Sequence, residues 1–406
     1  MTEMSKIETT ISKGALLYAW ARDQNILERG ESGGAVVALL KFALESGTVD
    51  AVLAVKRGYD IYDPRPTLIT DPDEVEETSG SMHCGTLLLS KFFEKYLDGA
   101  KEMKVAAVLK GCDVMGLYEQ AKRGLVELEN VFMIGLNCGG SITSSMARRI
   151  VSEKFGLKDP GSVTRETIEK GRFFIEHDGI EEGISIPKLE DEGYGRRSNC
   201  KRCKMKIPRQ VDLACGNWGV IPKMAGKATF VEVCSEKGAN LINKATVAGS
   251  IETRRPGPKC ADSRRKREAL IQDLSEEWRR KDFEPLMSAK ERLRLVIEET
   301  SRCIKCYTCI EVCPVLFGSK DPYLTADLGK VPPGLEFHLA RYAHVADSCV
   351  NCGQCEELCP LDIPNTLIMH SIATELEELY GYHAGEDLLI PAISRTEETF
   401  ARKKRM

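Results

Sequence analysis

No run of 18 apolar residues occurs anywhere in this 406-residue chain, so no helix able to cross a bilayer is expected. The opening stretch MTEMSKIETTISKG has no apolar h-region, so no secretory signal is expected either. Charge of one sign is equally scarce. Charged residues make up 29% of the chain but the net charge is only −4, which leaves no general pull toward nucleic acid or a membrane surface. What the chain has in quantity is cysteine, 16 residues of it. Without an export signal, so many thiols imply a reducing, cytoplasmic interior and metal ligation in place of a disulfide framework. The length suits two or three domains with sizeable cores.

Eight of the cysteines form two copies of one pattern. Cys303, Cys306, Cys309 and Cys313 precede Pro314, and Cys349, Cys352, Cys355 and Cys359 precede Pro360. Each run reads C-x2-C-x2-C-x3-C-P, the spacing that wraps a [4Fe–4S] cubane, and in such pairs the fourth cysteine ligates the cluster of the other run. The expected sets are therefore Cys303, Cys306, Cys309 with Cys359, and Cys349, Cys352, Cys355 with Cys313. Zinc sites use four ligands in two well-separated pairs, which this pattern is not. The chain moves electrons, and many thiolate-bound clusters suit an oxygen-poor cell. The long spacer Pro314–Ser348, helix-prone over 336–345, favours an α-helical ferredoxin domain over the compact β type.

Upstream, apolar runs at 49–55, 104–109 and 131–136 read as buried strands, and 230–234 as a further one. The 34–46 stretch is apolar around most of its circumference and reads as a helix packed on both sides, while 72–78 reads as a capped helix start or a solvated turn. From Gly257 the composition becomes charge-dense. Leu270, Leu274 and Trp278 recur at i, i+4, i+8, as in an amphipathic helix feeding the cluster domain, and the basic run 264–267 reads as a solvated face because acidic residues follow at once. The basic 402–405 segment reads as a frayed tail. These shifts divide the chain into 1–256, an α/β (α+β) domain; 257–297, a charged helical linker; and 298–406, a mainly α-helical ferredoxin domain for two [4Fe–4S] clusters.

Four more cysteines stand where chemistry is done. Cys112 follows the 104–109 strand and Cys138 follows the 131–136 strand, with a helix-like segment 115–128 between them. A β-α-β unit of this kind is right-handed and sets its strands side by side, about 4.8 Å apart. Both cysteines then leave the carboxyl edge of the sheet, where open α/β sheets bind ligands. Cys200 and Cys203 form a C-x2-C that suits a zinc knuckle, a redox dithiol or one edge of a cluster. Together the four can complete a third [4Fe–4S] site. Cys215, Cys234 and Cys260 read as small buried hydrophobes; Cys84, in SGSMHCG, is less easily set aside.

Three small-residue loops, GESGGAV (30–36), SGSMHCG (79–85) and ACGNWG (214–219), can approach a large planar cofactor. The first precedes a helix and can hold a phosphate on its amides, but it is neither G-x-G-x-x-G nor a Walker loop.

The ordered blocks ESGGAVVALLKFALESGTVDAVLAV, ETSGSMHCG, VAAVLKGCDVMGLYEQ, MIGLNCGG and YGRRSNCKRCKMKIPRQVDLACGNWG resemble the coenzyme F420-reducing hydrogenase β-subunit family over residues 14–250. The HCG, KGCD, LNCGG and IPRQVDLACGNWG variants are most similar to the formate dehydrogenase branch of that family. The resemblance implies FAD, three [4Fe–4S] clusters in all, and coenzyme F420 as substrate. It implies that Cys112, Cys138, Cys200 and Cys203 ligate the cluster of the first domain. Flavin contacts are implied at Gly33, Gly34, Ala35 and Val36, at Ser79, Gly80 and Ser81, and at Asn217, Trp218 and Gly219. Lys110 stands where many members have another residue, and it would bring a positive charge to the cluster or flavin. No molybdopterin-type motif and no selenocysteine position is present, so a separate formate-oxidising α subunit carrying molybdopterin or tungstopterin is the implied partner, with heterodisulfide reductase a further acceptor. The alternatives are the β subunit of a deazaflavin-reducing hydrogenase and a non-catalytic iron–sulfur relay.

Overall fold

The computed structural model describes residues 10–390 apart from 86, 170, 287, 317–323 and 325–330. The 402–405 tail lies outside the described residues.

The strands of the first domain are β1 (Leu16–Ala21), β2 (Ala51–Arg57), β3 (Pro64–Ile69), β4 (Val105–Leu109), β5 (Val131–Leu136), β6 (Arg165–Glu169), β7 (Arg172–His177), β8 (Ile180–Ser185), β9 (Leu213–Gly216), β10 (Thr229–Val233) and β11 (Ile251–Arg254). Eight of them make one mixed sheet in the order β11-β1-β10-β9-β5-β4-β2-β3. Its middle, β2, β4, β5 and β9, is parallel, and the flanks are antiparallel. β4 and β5 are neighbours, paired from Val105↔Val131 to Leu109↔Gly135, as a right-handed β-α-β unit requires. Val105, Ala106, Ala107 and Leu109 are all fully buried, because a central strand covered on both faces must be apolar throughout. β6, β7 and β8 form a separate antiparallel sheet.

The helices are α1 (Gln24–Arg29), α2 (Ala35–Glu45), α3 (Ser90–Tyr96), α4 (Gly111–Lys122), α5 (Ser144–Lys154), α6 (Ile186–Asp191), α7 (Ser198–Arg202), α8 (Glu236–Val247) and α9 (Pro258–Phe283). α2 buries Val37, Ala38, Leu39, Leu40 and Ala43, matching its apolar circumference. Residues 72–78 form a short 3-10 turn capped by Asp71, whose carboxylate accepts from the Asp73 amide.

α9 departs from expectation in one respect. It is the expected helix, 26 residues long, but the 264–267 run is not a solvated face throughout: Arg264 is 2% exposed and fixes the helix to the sheet. The Arg264 guanidinium pairs with Glu232, donates to the Trp218 carbonyl at 3.0 Å and lies over the Phe230 ring at 4.9 Å. A basic run in sequence can thus hide one buried arginine where a carboxylate and free carbonyls converge.

Beyond α9 the described residues hold helices 289–300, 308–311, 335–343, 354–357 and 365–380, and no strand. This helical module is joined to the first domain by a shared core in which Leu88, Cys112 and Met115 pack with Val315, Cys349, Cys352 and Ile368.

Candidate functional site

The crossover from β4 into α4 sets the first cysteine. α4 starts at Gly111, four residues earlier than the sequence suggests, so Cys112 sits in the first turn of a helix instead of in a free turn. There the helix dipole favours a thiolate. Asp113 fixes the turn: its carboxylate accepts from the Lys110, Leu89 and Ser90 amides. Cys138 follows β5, its amide bonded to the Lys206 carbonyl at 2.8 Å. Cys200 lies in α7 and Cys203 caps its end, with Cys203 N–H reaching the Cys200 carbonyl.

The four thiols converge. Cys112 interacts electrostatically with Cys138 and Cys203, and Cys138 with Cys200 and Cys203. Gly140 shows how tight the approach is: a Cβ there would stand 3.1 Å from the Cys200 Cβ and 2.7 Å from the Arg196 Cδ, at a φ of +122°. Burial pushes the Cys112, Cys138 and Cys203 thiols above their ordinary pKa, so their thiolates need a positive centre. Lys110 faces Cys112 and Cys138, and Lys206 faces Cys203. Burial opposes the Lys110 charge, but Asp113 and the two cysteines hold its pKa up.

The terminal runs interleave. One small hollow is lined by Cys303, Cys306, Cys309 and, from the other run, Cys359. Cys313 in turn interacts with Cys349, Cys352 and Cys355. Each run turns through a left-handed residue, Tyr307 (φ +62°) or Gly353 (φ +79°), into a one-turn helix. Among the described residues no three His, Cys, Asp or Glu groups gather closely enough for a single ion. Cysteines spread around a hollow suit the four separate iron corners of a cubane.

Beside the Cys112 group opens a cleft of about 1590 Å³. Lys110 and Cys138 line it, as do Gly34, Ala35 and Val36, Ser79, Gly80 and Ser81, and Asn217 and Trp218. Gly33 and Gly219 are not on its wall. A Cβ on Gly33 would strike the Lys227 carbonyl at 2.3 Å, and one on Gly219 the Arg264 Cβ at 2.9 Å, so both glycines permit close packing behind the wall. Gly34 caps α2 in the left-handed region (φ +66°) with no side-chain cap bond, so the first α2 amides are open to the cleft.

Two parts of the wall were not foreseen. α9 contributes Arg267, Leu270, Ile271, Leu274 and Trp278. The apolar i, i+4, i+8 stripe thus faces a cavity, not a core, and Leu270 remains 51% exposed. The other part is a polar corner, where His83 Nε2 stands 3.3 Å from Glu31 Oε2 and Arg165 and Glu166 project from β6. Its signal was the SGSMHCG block, in which His83 faces the cleft. Cys84 is fully buried, its amide bonded to Glu166 Oε1 at 2.8 Å and its side chain among Ile142, Val163 and Phe173. Cys215 and Cys260 are likewise buried and Cys234 half-buried.

Comparison with known proteins gives one consistent answer. Family profiles described as the N-terminal and C-terminal parts of the coenzyme F420 hydrogenase/dehydrogenase β subunit match residues 16–94 and 102–259, and a 4Fe-4S dicluster profile matches 299–363. The F420-dependent formate dehydrogenase subunit beta of Methanocaldococcus jannaschii is 42% identical over 383 residues, 93% of this chain and 98% of that one. The F420-dependent formate dehydrogenase 1 subunit beta of Methanococcus maripaludis is 43% identical over 377 residues, covering 92% and 95%. The coenzyme F420 hydrogenase subunit beta of Methanothermobacter thermautotrophicus is 24% identical over 59% of this chain and 83% of its own. In fold, a chain of the F420-reducing [NiFe] hydrogenase complex from Methanosarcina barkeri superposes with a TM-score of 0.54 at 19% identity, covering 73% of this chain and 96% of that one.

Proposed function

Because this chain belongs to the coenzyme F420 hydrogenase/dehydrogenase β-subunit family, we propose that it is the β subunit of an F420-dependent formate dehydrogenase, joining a formate-oxidising α subunit to coenzyme F420. The observation that carries the reading is that Cys138, one of the four converging thiols, lines the same cleft as the open amides of α2. A one-electron site and a nucleotide-sized cleft thereby share a wall.

The residues fit the groups the family implies. Cys112, Cys138, Cys200 and Cys203 would hold a cleft-side [4Fe–4S] cluster. Cys313 with Cys349, Cys352 and Cys355 would hold a middle one, and Cys359 with Cys303, Cys306 and Cys309 a distal one. FAD suits the cleft on three counts. The α2 amides can take a pyrophosphate. The Ser79 hydroxyl is buried there without a partner. The volume exceeds the 300–1,000 Å³ usual for one ligand, leaving room for a second ring system. When bound, FAD supplies the conversion between one-electron exchange with clusters and hydride exchange with the deazaflavin. The chain's own part is to hold, orient and exclude water: Lys110 keeps a positive charge between the Cys112 group and the cleft, and Leu270, Leu274 and Trp278 offer an apolar wall for a planar ring. An outlet to a heterodisulfide reductase belongs at the distal cluster, where Cys306 is exposed.

The test is the purified chain reconstituted anaerobically with iron, sulfide and FAD. It should carry a flavin spectrum and roughly 12 iron atoms, four per cluster, and should bleach or restore deazaflavin absorbance with a one-electron dye. Full loading without that activity would sink the reading. The iron–sulfur relay predicts iron but no flavin. The hydrogenase reading is disfavoured because that relative matches only 59% of this chain, against 93% for the formate dehydrogenase relative.

A further inference from the structure

A buried arginine stands at each junction between the three cysteine groups. Arg197, the residue before α7, has a side chain only 8% exposed. Its guanidinium faces Cys200 and Cys112 of the cleft-side group and Cys352 of the middle group. Nη1 donates to the Cys352 carbonyl at 3.1 Å, Nε lies 3.3 Å from Glu357 Oε2, and Nη2 is buried without a hydrogen-bond partner. Gly353 accommodates it: a Cβ there would stand 2.7 Å from Arg197 Nη2. Asn199 and Asn351 lock the same junction by exchanging side-chain amide to carbonyl bonds at 3.0 and 2.9 Å. Arg202 is close by, but Asp282 holds its charge at 2.6 Å.

Arg341 repeats the arrangement between the middle and distal groups. It is 4% exposed. Nη1 donates to the Cys309 sulfur at 2.7 Å, and Nη2 donates to Asn365 Oδ1 at 2.7 Å. Asn365 in turn donates to the Cys355 carbonyl at 3.0 Å, and the Arg341 charge acts on both Cys309 and Cys355. No carboxylate is paired with it among the ion pairs of the described residues.

We propose that Arg197 and Arg341 are junction cations, each raising the reduction potentials of the two clusters it lies between, so that the middle cluster, flanked by both, is raised most. The physical reason is direct. A cluster gains one negative charge when it takes an electron, and a buried guanidinium stabilises that charge most where water cannot screen it. Hydrogen bonds to cluster sulfur act in the same direction. A residue shared by two clusters moves both together, and the middle cluster, flanked by both arginines, is raised by each. Glu357 offsets part of the Arg197 charge and leaves Arg341 the stronger of the two. Both are positioning residues: neither touches the cleft. The inference rests on the three-cluster reading given above.

The experiment is an EPR-monitored redox titration of the reconstituted full chain. Arg197→Gln should shift the cleft-side and middle clusters to lower potential and leave the distal cluster unmoved. Arg341→Gln should shift the middle and distal clusters and spare the cleft-side one. The expected size is about tenfold in the reduced-to-oxidised ratio at fixed potential, about 59 mV for a one-electron couple. Arg197→Lys and Arg341→Lys, which keep the charge, should stay near the parent values. Unchanged potentials at full iron content would overturn the proposal, as would a uniform shift of all three clusters. Loss of a cluster in both the Gln and the Lys variants would also overturn it, by making the arginines structural straps. A parent chain that cannot be loaded with three clusters would instead overturn the reading of the sites, and this inference with it.

Discussion

At the scale of single residues, the site depends on a few positions that tolerate no alternative. Gly140 is the clearest, because a methyl group there meets Cys200 and Arg196 at a backbone angle that side chains avoid. Gly140→Ala should lose roughly four of about 12 iron atoms, those of the cleft-side cluster, while the terminal clusters persist; iron analysis with EPR checks this. His83 gives a pH prediction. Burial disfavours its imidazolium, but Glu31, with Glu166 behind it, wins and raises the pKa above the ordinary 6.5. The ion pair therefore contributes fully below about pH 6.5, and the contribution is lost as pH rises through the folded value. Glu31 mirrors this: burial opposes ionisation, but His83 and Ser81 lower its pKa, so its own share is present above the ordinary carboxylate range and fades in acid. The Tm of the parent chain should fall relative to that of His83→Gln as the solution is made alkaline through this window. Parallel Tm curves for the two proteins would refute it. The eight terminal cysteines were readable as two cluster motifs from spacing alone, because ligand spacing there is local, whereas Cys112, Cys138, Cys200 and Cys203 needed the strand ends and the family resemblance to be grouped. His83, Glu31 and Glu166 were not, because each is unremarkable until the fold gathers three distant segments.

Secondary-structure elements were legible in proportion to how completely they are buried. β5 occupies 131–136 as its apolar run implies, and α2 fills the predicted span to within a residue at each end. The β6–β8 sheet passed unnoticed, although Asp178-Gly179 between β7 and β8 is a strong hairpin signal and both residues take positive φ. α9 was legible as an amphipathic helix, but what its stripe faces was not, for a physical reason. Its apolar stripe has the period of a core-facing helix, and periodicity cannot tell a core from a cavity. Leu270→Asp and Leu274→Asp should therefore leave the unfolding free energy within about 0.5 kcal/mol of the parent, as exposed substitutions do, yet weaken retention of ring ligands. Fluorescence of released flavin and the deazaflavin KM would show it, and an unchanged pair of values would remove α9 from the binding wall. Arg264→Met should behave oppositely. It leaves the half-buried Glu232 with Arg209 as its remaining partner and strips the Trp218 carbonyl of its donor, so it should cost about 1–3 kcal/mol, measurable by urea denaturation, because it frees α9 from the sheet.

For the whole molecule, composition divides the chain into parts, and a packed seam joins the helical module to the first domain. The helical module returns to α4 through residues 382–386. Glu119, fully buried, accepts from Lys122 at 2.9 Å, Arg123 at 2.7 Å, the Tyr382 hydroxyl at 2.8 Å and the Gly385 amide at 2.8 Å. Burial would raise its pKa, but these partners hold it down, so the carboxylate is charged at the centre of the seam. A buried carboxylate is tolerable only while its partners stay. Cutting the chain at Pro256, where the charge density changes, removes Arg264 from Glu232 and both Tyr382 and Gly385 from Glu119. It also strips the apolar cover from Leu88 and Met115. The fragment 1–256 should accordingly be aggregation-prone and unable to keep the cleft-side cluster, even though it holds all four of that cluster's thiols. A fragment ending at Phe283 restores α9 and the cleft wall but not the seam, so it should gain stability without recovering the cluster. If 1–256 instead folds cooperatively with its cluster in place, as judged by a single urea transition and iron content, the composition boundary is a true domain boundary and the seam is only a contact.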